Sequence, residues 1–127
     1  MEVIVDTNAF SAIVDNQPGI TQVLATARVV AVPVVTLGEY RFGISQSRRR
    51  TEYEEFLDES LSAYLVLPVD EQTATFYAEI RHELKIMGAP IPSNDLWIAA
   101  LCRQHDLPVL SRDRHFDRVR GLQRVVW

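Results

Sequence analysis

The chain has one cysteine, one lysine and no apolar stretch nearing the roughly 18 residues that a membrane span needs. Each scarcity removes a class of protein. Cys102 alone supports neither an internal disulfide nor a cysteine metal site, and its Ala-Leu-Cys-Arg setting suits a small buried hydrophobe. No basic segment followed by an apolar one opens the chain, so no secretory signal is expected and the protein reads as cytoplasmic, without a membrane partner. A phosphate-binding G-x-x-x-x-G-K-S/T loop is absent, as is a G-x-S-x-G nucleophile elbow. His82, His105 and His115 share no zinc spacing and are expected at the surface or in turns. The lone lysine, Lys85, falls late in an expected helix, poorly placed to steady a phosphoaspartate, which weakens that reading of the acidic residues.

What is present is ordinary in bulk. The 127 residues suffice for one domain, 1–127, with one real core. With 47% hydrophobic and 24% charged residues, the chain is globular and not disordered. A net charge of −4 argues against a surface that grips nucleic acid everywhere. All but one of the 13 basic residues are arginine, grouped at Arg48–Arg50 and at Arg112, Arg114, Arg118 and Arg120. Arginine can hold phosphate in a bidentate fork, although a charge run also serves simply as a solvated face.

Apolar runs and breakers divide the chain into alternating strands and helices. Glu2–Val5 reads as a buried strand ending in a capping turn, Asp6-Thr7-Asn8, with short helices over Ala9–Val14 and Ile20–Ala27. Val29–Val35 is the next expected strand, and Thr36 caps a helix to about Ser45. An amphipathic helix over Arg49–Tyr64 leads into a strand at Leu65–Val69. Asp70 caps a helix ending at Gly88, with Ala74, Tyr77, Ala78, Ile80, Leu84 and Met87 expected inward. Ser93 opens the next helix, Pro108–Leu110 and Arg124–Trp127 are strands, and His115–Arg120 forms a helical turn between them. The alternation implies an α/β protein: a three-layer α/β/α sandwich on a mainly parallel sheet of about five strands.

Four acids, Asp6, Glu39, Asp95 and Asp113, stand where strands end or helices begin. Separately, each has a plain explanation. Asp6 caps a helix, Thr36 and Glu39 match a capping box, Asp95 gains from a helix dipole and Asp113 suits a polar turn. Together, at the edge of an open sheet where such folds bind ligands, they would repel unless protonated or neutralised by a cation. Carboxylate oxygens suit magnesium or manganese, and such ions serve phosphodiester chemistry.

The runs Val-Ile-Val-Asp-Thr-Asn, Pro-Ile-Pro-Ser-Asn-Asp-Leu-Trp-Ile-Ala-Ala and Val-Leu-Ser-Arg-Asp-Arg-His-Phe, with Glu39 between the first two, resemble the PIN-domain family, above all VapC-type toxins. The likeness extends from Val3 to Trp127. It implies a sandwich with the first strand central and a Mg2+- or Mn2+-dependent endoribonuclease whose products carry 5′-phosphate and 3′-hydroxyl ends. It places Asp6, Glu39 and Asp95 on the regular acidic positions and Asp113 on a fourth that relatives fill with Asp or Asn. Thr7, Asn8 and Ser111 match positions that steady the acids. Arg41, Arg112 and Arg114 are the candidates for gripping RNA phosphates, and Trp97 and Trp127 are expected to pack in place of stacking on bases. The implied partners are RNA, a VapB-type antitoxin and a second copy in a homodimer. A housekeeping RNA-processing nuclease and a non-catalytic module that binds a metal or an antitoxin are the alternatives.

Overall fold

The computed structural model describes residues 1–127. Five strands, β1 (Glu2–Val5), β2 (Val29–Pro33), β3 (Leu65–Leu67), β4 (Val109–Leu110) and β5 (Arg124–Val125), form one sheet in the order β3-β2-β1-β4-β5. Every pairing is parallel. β1 is central because Val3, Ile4 and Val5 are apolar on both faces of the strand and fully buried. The edge strands are short, which limits the unpaired backbone they expose.

Side chains alternate across the sheet and so make two cores. Ile4, Ala31, Leu67 and Val109 point to one face, against α5 (Glu71–Met87) and α6 (Ser93–His105). Val3, Val5, Val32 and Leu110 point to the other, against Phe10 of α1 (Thr7–Val14), Ile20 of α2 (Ile20–Thr26), Tyr40 and Ile44 of α3 (Val34–Ser45) and Leu57 of α4 (Arg50–Ser60). Phe10 is edge-on to both Tyr40 and Tyr64, with ring centroids 4.9 and 5.6 Å apart. These are the three layers expected. No helix is long and apolar enough to cross a membrane.

Several boundaries differ from expectation. β2 stops at Pro33, and Val34 and Val35 begin α3 although β-branched residues favour strands. Thr36 does not cap that helix. It is buried one turn in, where its hydroxyl donates to the Val5 carbonyl at 2.9 Å, tying α3 to the end of β1. The Thr36–Glu39 capping box is thus absent, and Pro33 precedes α3 without any side-chain cap. β3 ends at Leu67, because Pro68 has no N–H to continue the ladder. α4 closes at Ser60 in a short 3-10 turn, Leu61–Ala63, and β5 ends at Val125. On α5 the inward face is Thr73, Phe76, Tyr77, Ile80 and Leu84, whereas Ala74, Ala78 and Met87 are exposed. The Asp70 cap does form, as a reciprocal box with Thr73, and Gly88 ends the helix at φ 66°.

The topology places the functional edge. From β1 the chain moves outward through β2 and β3, then crosses back to insert β4 on the other side of β1. Strand order therefore reverses at the β1–β4 junction, and the crevice beyond the carboxyl ends of those two strands is where open α/β sheets bind ligands.

Candidate active site

Asp6 is the first residue after β1 and the N-cap of α1. Its residue is only 4% exposed. Oδ1 accepts from the Thr7 amide at 2.7 Å, and Oδ2 accepts from Asn8 Nδ2 at 2.9 Å and Ser111 Oγ at 2.8 Å. Burial raises its pKa most; the Thr7 and Ser111 hydrogen bonds oppose the rise, and the charges of Glu39 and Asp113 add to it. Thr7 also donates through Oγ1 to Glu39 Oε1 at 2.8 Å, which ties α1 to α3. Glu39 borders an open groove shared with Thr7, Val35, Gly38, Phe42 and Asn94.

The β4 side supplies the next group. Ser111 is fully buried; beyond its bond to Asp6, its hydroxyl accepts from Asn8 Nδ2 at 3.2 Å and from the Asp113 amide at 2.9 Å. Asn8 Oδ1 in turn accepts from the Arg112 amide at 3.1 Å, so the ends of β1 and β4 are laced together. Asp113 caps a 3-10 turn, Arg114–Arg118, by accepting the His115 amide at 2.9 Å.

Asp95 enters from the first turn of α6, a helix held against the sheet and α5 by buried Ala99, Ala100 and Cys102. Its carboxyl is pushed up to about 6, first by burial and then by the charges of Asp6 and Asp113, against the lowering hydrogen bond and charge of His115. His115 Nδ1 lies 3.0 Å from Asp95 Oδ2 and 2.9 Å from Asp113 Oδ1. Sequence reasoning placed His115 in a turn, correctly, but missed these contacts. The available signal was its position two residues after Asp113 in a tight turn, which returns its side chain to the acid.

The structure thus brings Asp6, Asp95, Asp113 and His115 to the β1–β4 crevice, with Glu39 on its α3 side. None of the four carboxylates forms an ion pair with an arginine. One atom each from Asp95, Asp113 and His115 lies within 4.8 Å of the other two, a span that a metal ion could bridge. Crowded, half-desolvated carboxylate oxygens with one imidazole nitrogen are a donor set that fits a divalent cation.

The arginine candidates are spread more widely. Arg41 sits 3.6 Å from Asp58 on the exposed faces of α3 and α4. Arg112 lies over the Trp127 ring at 4.4 Å, its guanidinium donating to the Trp127 carbonyl at 3.4 Å. Arg114 is exposed at the start of the 3-10 turn. Of the remaining cluster, Arg118 donates to the Pro90 carbonyl and Arg120 pairs with Glu83, while Arg49 pairs with Glu52. Trp97 stacks on Tyr77 at 4.0 Å, and Trp127 packs beside the α1–α4 core.

Known proteins share this arrangement of chain. The chain is similar to ribonuclease VapC5 of Mycobacterium tuberculosis, 33% identical over 124 residues that cover 96% of this chain and 90% of the relative. It is similar to toxin FitB of Neisseria gonorrhoeae, 32% identical over 121 residues and 87% of each chain. Among solved structures, FitAcB from Neisseria gonorrhoeae matches with a TM-score of 0.85 at 29% identity, over 96% of this chain and 95% of that one. DNA-bound VapBC from Salmonella typhimurium matches with a TM-score of 0.87 at 27% identity, over 100% and 98%. The family model for the PIN domain matches residues 3–122, a span that runs from β1 through α6 and β4 to the 3-10 turn beyond Asp113, and the chain accordingly belongs to the PIN-domain family.

Proposed function

We propose that this chain is a Mg2+- or Mn2+-dependent endoribonuclease, acting as a single domain and as the toxin of a type II toxin–antitoxin pair. The observation that carries the reading is Asp6: an acid 4% exposed, without a cationic partner, within electrostatic reach of Glu39 and Asp113. Acids crowded at a ligand-binding crevice without a cationic partner repel one another, and a bound cation relieves that repulsion. The names of the relatives, ribonuclease VapC5 and toxin FitB, support the activity and the biological role.

Asp6, Glu39, Asp95 and Asp113 would hold the ion, directly or through water. When bound, it supplies Lewis acidity toward a phosphoryl oxygen and lowers the pKa of a coordinated water. The protein side of the mechanism is orientation. Thr7, Asn8 and Ser111 spend their hydrogen bonds on Asp6 and Glu39, which leaves those carboxylates little rotational freedom before substrate arrives. Of the two hydroxyls in this set, that of Ser111 is fully buried, out of reach of a substrate, and that of Thr7 serves to orient Glu39. Attack by water, without a covalent enzyme intermediate, fits that inventory. Arg114, exposed in the turn that follows Asp113, and Arg41, exposed on α3 two residues after Glu39, are assigned to RNA phosphates. The Arg112 guanidinium is held on Trp127, while its amide orients Asn8.

A VapB-type antitoxin is proposed as partner, since several of the matching structures are VapBC and FitAB assemblies. A homodimer of the toxin is proposed with it. Purified protein incubated with RNA and Mg2+ or Mn2+ should yield new 5′-phosphate ends, read by end sequencing. Asp6→Asn should produce none while melting as a folded protein. Metal-dependent ends that persist in Asp6→Asn, or none in any RNA with the native chain, would sink the nuclease reading. Expression without a small DNA-binding protein encoded immediately upstream should arrest growth, and co-expression should relieve it.

A further inference from the structure

We propose that His115 is itself a ligand of the ion, through Nδ1, and that this nitrogen tilts the site toward Mn2+ over Mg2+. The inference rests on the metal-dependent reading above, to which it adds a residue of different chemistry from the four acids. Its footing is geometric. Nδ1 is 3.0 Å from Asp95 Oδ2 and 2.9 Å from Asp113 Oδ1, so the imidazole lies between two carboxylates that belong to different elements, α6 and the 3-10 turn. One donor atom from each of the three residues lies within 4.8 Å of the others, and no other three histidine, cysteine or acidic side chains in the chain converge so closely.

The imidazole is also held in place by its neighbours. Its own amide donates to Asp113 Oδ1 at 2.9 Å, so the backbone that carries the ring is pinned to the same acid. The residue after it, Phe116, is fully buried in the core with α6. One residue further on, Asp117 accepts two bonds from Arg124 of β5, at 2.8 and 2.9 Å. A backbone anchored on both sides of the ring lowers the ordering cost of presenting Nδ1 to the crevice. The ligating form carries its proton on Nε2, on the ring's other side, and the ring is 37% exposed.

Nitrogen ligation has a chemical signature. Mg2+ strongly prefers oxygen and keeps its waters, whereas an imidazole nitrogen is acceptable to Mn2+. An ion held by His115 as well as by carboxylates therefore favours Mn2+ more than an all-oxygen site does. A residue that only oriented Asp95 and Asp113 by hydrogen bonding would support both ions alike. His115→Asn separates the two roles, because the asparagine amide can donate from nearly the position of Nδ1 but offers no imidazole nitrogen.

The test is pulsed electron paramagnetic resonance of the full chain loaded with Mn2+, prepared with natural and with 15N-labelled histidine. The native protein should show coupling to a histidine nitrogen that changes with the label and vanishes in His115→Asn and His115→Ala. In parallel calorimetric titrations, His115→Ala should lose about tenfold or more in Mn2+ affinity, a loss at least equal to that of removing a group that only orients a ligand. Mg2+ affinity should fall much less. Mn2+ binding that depends on Asp95, shown by its loss in Asp95→Asn, but that carries no nitrogen coupling overturns the assignment of His115 and leaves the metal-dependent reading standing. An unchanged Mn2+/Mg2+ affinity ratio in His115→Asn, with wild-type coupling retained, overturns it equally. Failure of the native chain to bind either ion overturns both readings.

Discussion

Ser111 has no surface of its own, yet every hydrogen-bonding capacity of its hydroxyl is committed to the site. It donates to Asp6 and accepts from Asn8 and the Asp113 amide, which accounts for one donor and two lone pairs. Ser111→Ala removes all three at once and leaves Asp6 with one fewer donor in a buried position. We expect a stability loss of about 1–3 kcal/mol, as for other unsatisfied buried groups. Because Asp6 and Asp113 would both lose orientation, ion affinity should fall by roughly ten- to hundredfold. Thermal melting and calorimetric titration of the same variant check both, and an unaltered affinity would show that Asp6 and Asp113 do not need this hinge. Thr36 has a similar standing one layer away. Its buried hydroxyl satisfies the Val5 carbonyl, the last of β1 before Asp6. Thr36→Val keeps the shape and removes the donor, so the chain should lose about 1 kcal/mol or more by chemical denaturation. An unchanged denaturation midpoint would mean that another donor takes its place.

The element that carries most of the site's irregularity is the 3-10 turn Arg114–Arg118. It is one short turn, and its fixity comes from side chains: Asp113 caps it, Phe116 fills a fully buried position and Asp117 is forked by Arg124. Phe116→Ala should cost about 3–5 kcal/mol through cavity formation. Nuclear magnetic resonance should show the His115 and Asp113 signals broadened while those of β1 stay sharp; uniform broadening would place the damage in the whole core. This element also marks the limit of what the sequence discloses. The short apolar runs of the strands, the Asp6 and Asp70 caps and the Gly88 stop were legible because each depends on residues a few positions apart. The acids of the crevice could be listed because Asp6 and Asp113 follow strands whose ends share one edge of a parallel sheet and Asp95 stands at a helix start. Val34 and Val35 misled because their strand preference is local, whereas the Pro33 conformation and the Thr36 bond to β1 that shape the start of α3 are set by packing. The contact of His115 with Asp95, 20 positions away, could not be read from spacing, since it exists only once α6 and β4 have docked. For α5, helical periodicity found the buried stripe at Tyr77, Ile80 and Leu84 but misplaced its margin, where Ala74 and Ala78 are short enough to lie outside it.

At the scale of the molecule, the site works against the fold in the absence of an ion. Asp95 is ordinarily half-ionised at 3.8 and in the folded chain only near 6, and Asp6 is shifted in the same direction. The folded state therefore favours the protonated acid. Below about pH 4 both states bind the proton and Asp95 is neutral in its effect. Between roughly 4 and 6 the unfolded chain gives up its proton first, so stability falls as pH rises, and above about 6 the loss is complete. A shift of about two units corresponds to roughly 3 kcal/mol at most, with a measured value nearer 1–2 kcal/mol expected at a crevice open to water. In chelator, the native protein should melt progressively lower from pH 4.5 to 6.5 and then level off. Asp95→Asn, whose amide can still accept from His115, should show a shallower decline, with the residual slope owed to Asp6, and should melt higher than the native chain at pH 7. Adding Mn2+ reverses the ranking, because an ion present at about 100 times its dissociation constant stabilises the native chain by about 2.7 kcal/mol and has little hold on the variant. Melting curves across this pH range, with chelator and with Mn2+, decide the matter. A native chain whose melting temperature in chelator does not fall from pH 5 to 7 relative to Asp95→Asn would show that its acids are neutralised from within the protein, and the need for a cation at this edge would lose its physical basis.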